Sequence, residues 1–154
     1  MANFEPTEVA GNMVTDYGDL QPGQEISRHS YQVDEGLVAD YVAAVQDENP
    51  PLRDSDGVQL VPAMAVAALS IRGVVQHLRI PGGTLHAGQE FEFMSAVAVG
   101  SSLDCAATLV QNSVRGDWRF LVIDCHVTDD NAADVMSGKS TIVIPAGLGP
   151  RETE

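Results

Sequence analysis

Residues 61–80 read VPAMAVAALSIRGVVQHLRI, and this stretch decides how the rest of the chain folds. Its length favours a helix over a strand. Pro62 suits the first helical turn, where its missing N–H has no intrahelical partner. The only charges are Arg72 and Arg79, while Met64, Val66, Leu69, Ile71, Val74, Val75 and Leu78 recur on every side. A helix that is apolar all round is a buried one, and this one is too short and too interrupted to span a bilayer. Pro81-Gly82-Gly83 ends it, as a proline and glycines after the last turn should. Ala63, Ala65, Ala67, Ala68 and Gly73 are small positions at which other backbone can come close. His77 complements the last carbonyls of the helix.

Working outward, the pattern after Gly83 changes to period two, the mark of half-buried strands. In Leu85–Met94 one face carries Ala87, Gln89, Phe91 and Phe93, the other His86, Gly88, Glu90 and Glu92. A corner at Ala98–Gly100 leads to Ser102–Asn112 and Trp118–Thr128, joined by SVRGD (113–117), and Val135–Ile144 is the last strand. A hairpin symmetric about Arg115 pairs Leu109 with Leu121, Ala107 with Ile123, Cys105 with Cys125 and Leu103 with Val127 on one apolar face. The opposite face pairs Val110 with Phe120, Thr108 with Val122, Ala106 with Asp124 and Asp104 with His126. Cys105 and Cys125 are therefore expected as reduced core neighbours, because a direct cross-strand disulfide is strained. Asp104 and His126 are expected as an exposed cross-strand ion pair.

Upstream, Gln24–Val33 reads as a first strand. Asp34 caps a helix whose stripe is Leu37, Val38, Tyr41, Val42 and Val45. That helix stops at Gln46-Asp47, before Asn49-Pro50-Pro51, and Leu52–Leu60 reads as a polar linker. Residues 1–22 form an N-terminal extension with a short helix around Glu8–Val14, and 146–154 a disordered tail. The result is a single α+β domain, an antiparallel sheet of about five strands wrapped around one long buried helix.

A chain of 154 residues is one domain of ordinary size. Its net charge of −14 argues against nucleic acid and anionic membrane as partners. No basic-then-apolar leader is visible at the N-terminus, and two cysteines make no disulfide framework, so the default location is the cytoplasm. There is no G-x-S-x-G, P-loop, Rossmann glycine run or CxxC. His29, His77, His86 and His126 lack metal-ligand spacing, so no metal is expected. His86, directly after the Gly-Gly turn, reads either as a polar strand end or as a residue facing a ligand groove. By itself Asp47-Glu48-Asn49-Pro50 reads as a helix stop whose side chains bond to backbone.

The order of these pieces resembles a known family. Asp47-x-Asn49-Pro50, then Val61-Pro62-x-Met64, then Gly82-Gly83, then Leu85-His-Ala-Gly-Gln-Glu-Phe-Glu-Phe93 is similar to the hot-dog fold of MaoC-like (R)-specific enoyl-thioester hydratases and dehydratases, above all their N-terminal-type dehydratase domains. The likeness covers about residues 20–145. In that family Asp-x-Asn-Pro-x-His supplies an Asp and a His that hold the reacting water as general base and acid. Here Asp47 and Asn49 are kept, but Leu52 stands where the His belongs. The resemblance also implies that backbone N–H groups at the start of the buried helix, by Pro62, Ala63 and Met64, polarise a thioester carbonyl, which no side chain is needed to do.

What the resemblance implies is therefore a subunit that binds the acyl chain of an acyl-CoA or acyl-carrier thioester, with no other cofactor. It would form a homodimer, or a heteromer with a catalytic hot-dog homologue that carries the complete dyad. An active (R)-specific hydratase using Asp47 and a substitute histidine such as His86 is the alternative. A hot-dog thioesterase would need a carboxylate on or beside the buried helix, and Pro62–Leu78 contains none. An acyl-binding module without enzymatic partners is the remaining reading.

Overall fold

A computed structural model describes residues 13–152. The strands are β1 (Glu25–Gln32), β2 (Leu85–Phe93), β3 (Ser102–Arg115), β4 (Trp118–Asp129) and β5 (Asp134–Pro145), and the helices are α1 (Glu35–Val45) and α2 (Ala63–Leu78). The strands form one five-stranded sheet in the order β1-β3-β4-β5-β2, every pairing antiparallel. α2 lies against one face of it, so the expected α+β arrangement of a sheet around a central helix is what the chain adopts. Asp34 accepts a hydrogen bond from Leu37 N at 2.8 Å, capping α1 as read from the sequence.

α2 buries Ala65, Val66, Ala67, Leu69, Ser70, Gly73, Val74 and Leu78. It is not buried all round. Met64 is 51% and Val75 48% exposed, and Ala68, Arg72 and Gln76 are open beside them. A single sheet covers only the helix side turned toward it, so an even apolar composition leaves one flank bare. Satisfying the last carbonyls falls to Tyr17, whose hydroxyl donates to Leu78 O at 2.8 Å. Burial, followed by the charges of Arg79 and His29, pulls the His77 imidazole below its usual range, which disfavours the charged form that capping would use.

The hairpin register also differs from the symmetric one. Arg115 pairs with Trp118 across a two-residue turn, Gly116-Asp117, and Gly116 takes φ 58°, the positive value a tight hairpin turn demands of its first residue. Leu109 meets Ile123 rather than Leu121, a shift of two: Ala107 lies opposite Cys125, Cys105 opposite Val127 and Leu103 opposite Asp129. An even shift keeps the expected apolar face together, and Leu103, Cys105, Ala107, Leu109, Leu121, Ile123, Cys125 and Val127 are all buried. The cysteines are free and diagonal to one another rather than opposed. Asp104 faces Thr128 and takes the hydroxyl of Ser30, while His126 pairs with Asp134 at 2.8 Å. The expected Asp104–His126 pair does not form.

The irregularity between Leu109 and Gln111 turns Asn112 inward. There its amide donates to Tyr17 O at 2.7 Å and Leu20 O at 3.0 Å. Val14, Tyr17 and Leu20 belong to the core, so this part of the expected N-terminal extension is structural. Val14 is not helical, and the remainder of the helix expected around Glu8–Val14, apart from Met13, lies outside the described residues. The expected loose tail is tied back through residue 151: Ala146 N donates to Asp117 O at 2.8 Å and Arg151 N to Arg79 O at 2.9 Å.

Candidate functional site

Leu52–Leu60 is a small hairpin rather than a shapeless linker. Arg53 and Gln59 bridge, Leu60 N donates to Leu52 O at 2.8 Å, and Asp54 Oδ1 gathers the turn by accepting from Asp56 N and Val58 N, each at 2.9 Å. Its returning arm is fastened to the corner before β3: Val99 N donates to Gln59 O at 2.9 Å and Val61 N to Val97 O at 2.8 Å. Leu52 and Leu60 are thereby held beside the start of α2.

Between this hairpin, the first turn of α2 and the ends of β2 and β5 lies a cleft of about 290 Å³. Val61, Val66, Val97 and Val135 are its buried floor; Leu52, Leu60, Ala63, Phe93, Met94 and Ala96 line it nearer the surface. Among the described residues that line it, Ser95 has the only polar side chain, and its hydroxyl is engaged by Asp134 O at 3.0 Å. Pro62 is the N-cap of α2 and makes no side-chain cap bond. The N–H groups of Ala63 and Met64 thus open the helix without intrahelical partners, at its partial positive end. Ala63 lines the cleft, whereas Met64 stands on the bare flank.

Asp47 and Asn49 are brought together with each other only. Asp47 Oδ1 accepts from Asn49 N at 3.0 Å and from Asn49 Nδ2 at 2.6 Å, both residues are exposed, and neither lines the cleft. Leu52, the position of the missing histidine, is on the cleft rim and 66% exposed.

His86 lies elsewhere. An irregularity between His86 and Gly88 rotates it onto the face of Gln89, against the simple alternation. Its Nε2 lies 3.0 Å from the buried Ser140 hydroxyl and 2.9 Å from Gln89 Oε1. The Gln89 amide is oriented by donating to Glu90 O and Lys139 O, at 3.3 and 3.2 Å, so Nε2 carries the imidazole proton toward Oε1. Phe93 at the cleft lies seven strand positions beyond His86, roughly 23 Å at about 3.3 Å each. The other imidazoles lie away from the cleft lining too: His126 bonds Asp134, His29 packs against Gly73 with its Nδ1 buried and without a hydrogen-bond partner, and His77 sits in the last turn of α2. Among the described residues no histidine bonds to Asp47.

The cleft floor was missed in the sequence because its valines come from three separate segments, Val61 and Val66 from the helix stretch, Val97 from the corner and Val135 from β5. The readable signal was the pair of leucines, Leu52 and Leu60, flanking a turn-rich polar run.

A family model described as the FAS1-like dehydratase domain region matches residues 20–137. Similar solved structures include the unliganded (R)-hydratase PhaJ1 from Pseudomonas aeruginosa, 18% identical with TM-score 0.72, covering 92% of this chain and 94% of that one. A MaoC-like dehydratase from Rhodospirillum rubrum is 16% identical with TM-score 0.68 over 90% of this chain and 99% of its own. The C-terminally truncated HadBC (3R-hydroxyacyl-ACP dehydratase) complex from Mycobacterium tuberculosis gives 18%, TM-score 0.66, and coverage of 80% and 96%. No curated protein matches the chain. With the family match spanning most of its length and the hot-dog fold shared with MaoC-like (R)-hydratases, the chain belongs to the FAS1-like dehydratase-region family.

Proposed function

We propose that this chain is an acyl-binding subunit of an enoyl-thioester hydratase or dehydratase, working with a homologue that carries the intact Asp/His dyad. One observation carries the proposal: apart from Ser95, the described residues lining the cleft at the start of α2 present hydrocarbon, and none is an acid, a base or a histidine, with Leu52 at the place of the histidine. Hydration across a double bond needs a positioned base and acid, and neither Asp47 nor His86 lines this cleft. Binding an acyl chain needs only apolar surface, and the free amides of Ala63 and Met64 suit a thioester carbonyl. The bare flank of α2 around Met64 and Val75 provides apolar surface for a second hot-dog subunit. The similar HadBC structure is that of a 3R-hydroxyacyl-ACP dehydratase complex.

No helix among the described residues is long and apolar enough to cross a membrane. Two free cysteines fit a reducing, cytoplasmic setting.

The test is hydration of crotonyl-CoA by the purified chain alone, alongside thermal shift with the same thioester. Binding with background turnover is the expected result. Turnover at the rate of a relative with the complete motif would overturn the proposal.

A further inference from the structure

We infer that the open edge of β2 sorts partners by charge: Glu90 and Glu92 hold off a second copy of this chain and admit a homologous strand that carries Lys or Arg at alternate positions. This rests on the reading above that the chain works beside a homologue. β2 is the outermost strand and is bonded on one side only, to β5. Edge strands that are kept from pairing are short, bulged, charged or covered. β2 runs for nine residues and is irregular only near its start, between His86 and Gly88, which leaves residues 88–93 as a straight run of free edge. The two faces of that run differ. Toward α2 it presents Phe91, packed on the core, and the exposed Phe93, their rings 5.8 Å apart. Phe93 and Ala63 line the same cleft, so this side of the edge continues into the first turn of α2 and its bare flank. The outer face presents Glu90 and Glu92, both exposed. On β5 they lie beside Lys139 and Ser137, but Lys139, the only lysine in the chain, reaches toward Asp124 on β4, at 4.0 Å. Neither glutamate has an ion pair among the described residues.

Two copies pairing antiparallel through this edge must keep outer face beside outer face, because a slip of one residue would bring phenylalanines to the glutamates' side. The permitted registers therefore differ by two. In each that overlaps most of residues 88–93, a glutamate of one copy stands opposite or diagonal to a glutamate of the other. Opposed side chains are about 5 Å apart and diagonal ones about 7–8 Å, inside the screening length of about 10 Å at 0.1 M salt. Like charges so placed destabilise the pair, and a second copy brings no cation on its own residues 88–93 to relieve them. A homologue with cations at the facing positions keeps the phenylalanine contact and reverses the sign of the charge interaction.

The partner's chemistry can be built from the chain itself. The experiment is sedimentation velocity of the whole chain, of a copy with Glu90→Lys and Glu92→Lys, and of their equal mixture, at low and high salt. The mixture should form a one-to-one dimer at least about tenfold tighter than either copy forms alone. Added salt should weaken the mixed dimer and strengthen self-association of the unaltered chain, opposite signs that an uncharged contact would not give. Glu90→Gln with Glu92→Gln should raise self-association, and keeps the test alive if the lysine copy fails to fold. Asp40→Lys with Asp130→Lys, at exposed positions off the edge, makes the same change in net charge and should give no such mixed dimer. A mixture no tighter than the unaltered chain alone, self-association unmoved by the glutamine pair, or an equal dimer from the Asp40/Asp130 control overturns the charge sorting alone. Thermal shift with crotonyl-CoA is read separately: if that thioester does not bind the unaltered chain, the acyl-binding reading falls whatever the association data show.

Discussion

His29 presses its ring so closely onto α2 that a Cβ on Gly73 would stand 2.2 Å from His29 Cδ2 and 2.7 Å from Nε2. Helix propensity alone would gain about 1 kcal/mol from Gly73→Ala. The clash should win, because the ring is wedged between β1 and α2 and overpacking costs about 1–3 kcal/mol. Urea unfolding should show Gly73→Ala less stable than the unaltered chain. In a His29→Ala background the same substitution should turn stabilising; if it still destabilises there, the imidazole is not the obstacle.

At the scale of elements, α2 ends on the segment of residues 14–20. Tyr17→Phe removes the donor to the buried Leu78 carbonyl and should cost about 1–2 kcal/mol, read as a lower urea midpoint at unchanged slope. The same burial raises the Tyr17 hydroxyl to about 12 from 10.0. It also raises the thiols, Cys105 to about 12 and Cys125 to about 11 from 9.0. The folded chain thus keeps protons that the unfolded chain releases. Their stabilising contribution is full below about pH 9 and is lost as the pH climbs through 11 and 12. Urea midpoints should fall across that window, and replacing both cysteines with alanine should flatten the first part of the fall. Neither thiol should react with a thiol reagent at neutral pH without denaturant.

For the whole molecule, the bare flank of α2 matters most. Met64 and Val75 already face solvent, so Met64→Asp with Val75→Asp should leave the urea midpoint of the isolated chain within about 0.5 kcal/mol of its starting stability. The pair should abolish association with a homologous subunit, measured by light scattering of the mixture; undiminished association would place the interface elsewhere. A net charge of −14 also opposes compactness. Raising salt shortens the screening length from about 30 Å at 0.01 M to about 10 Å at 0.1 M and should raise the melting temperature.

By itself the sequence determined the main helices and strands, their order and the face most strand side chains turn, because apolar periodicity records which side leaves water. The even sorting of β3 and β4 survived a register wrong by two, since alternation repeats every second residue and cannot tell one even shift from another. Tertiary structure decided what alternation is blind to. The two-residue turn set the hairpin pairing, the irregularity near Ala87 swung His86 across the sheet, and one-sided cover left a flank of α2 open. The sequence also told that a leucine replaces a proton carrier at Leu52. That this leucine joins valines from three distant segments in one cleft was settled only by folding, because no local pattern links residues whose contact depends on how hairpin, helix and strand ends meet.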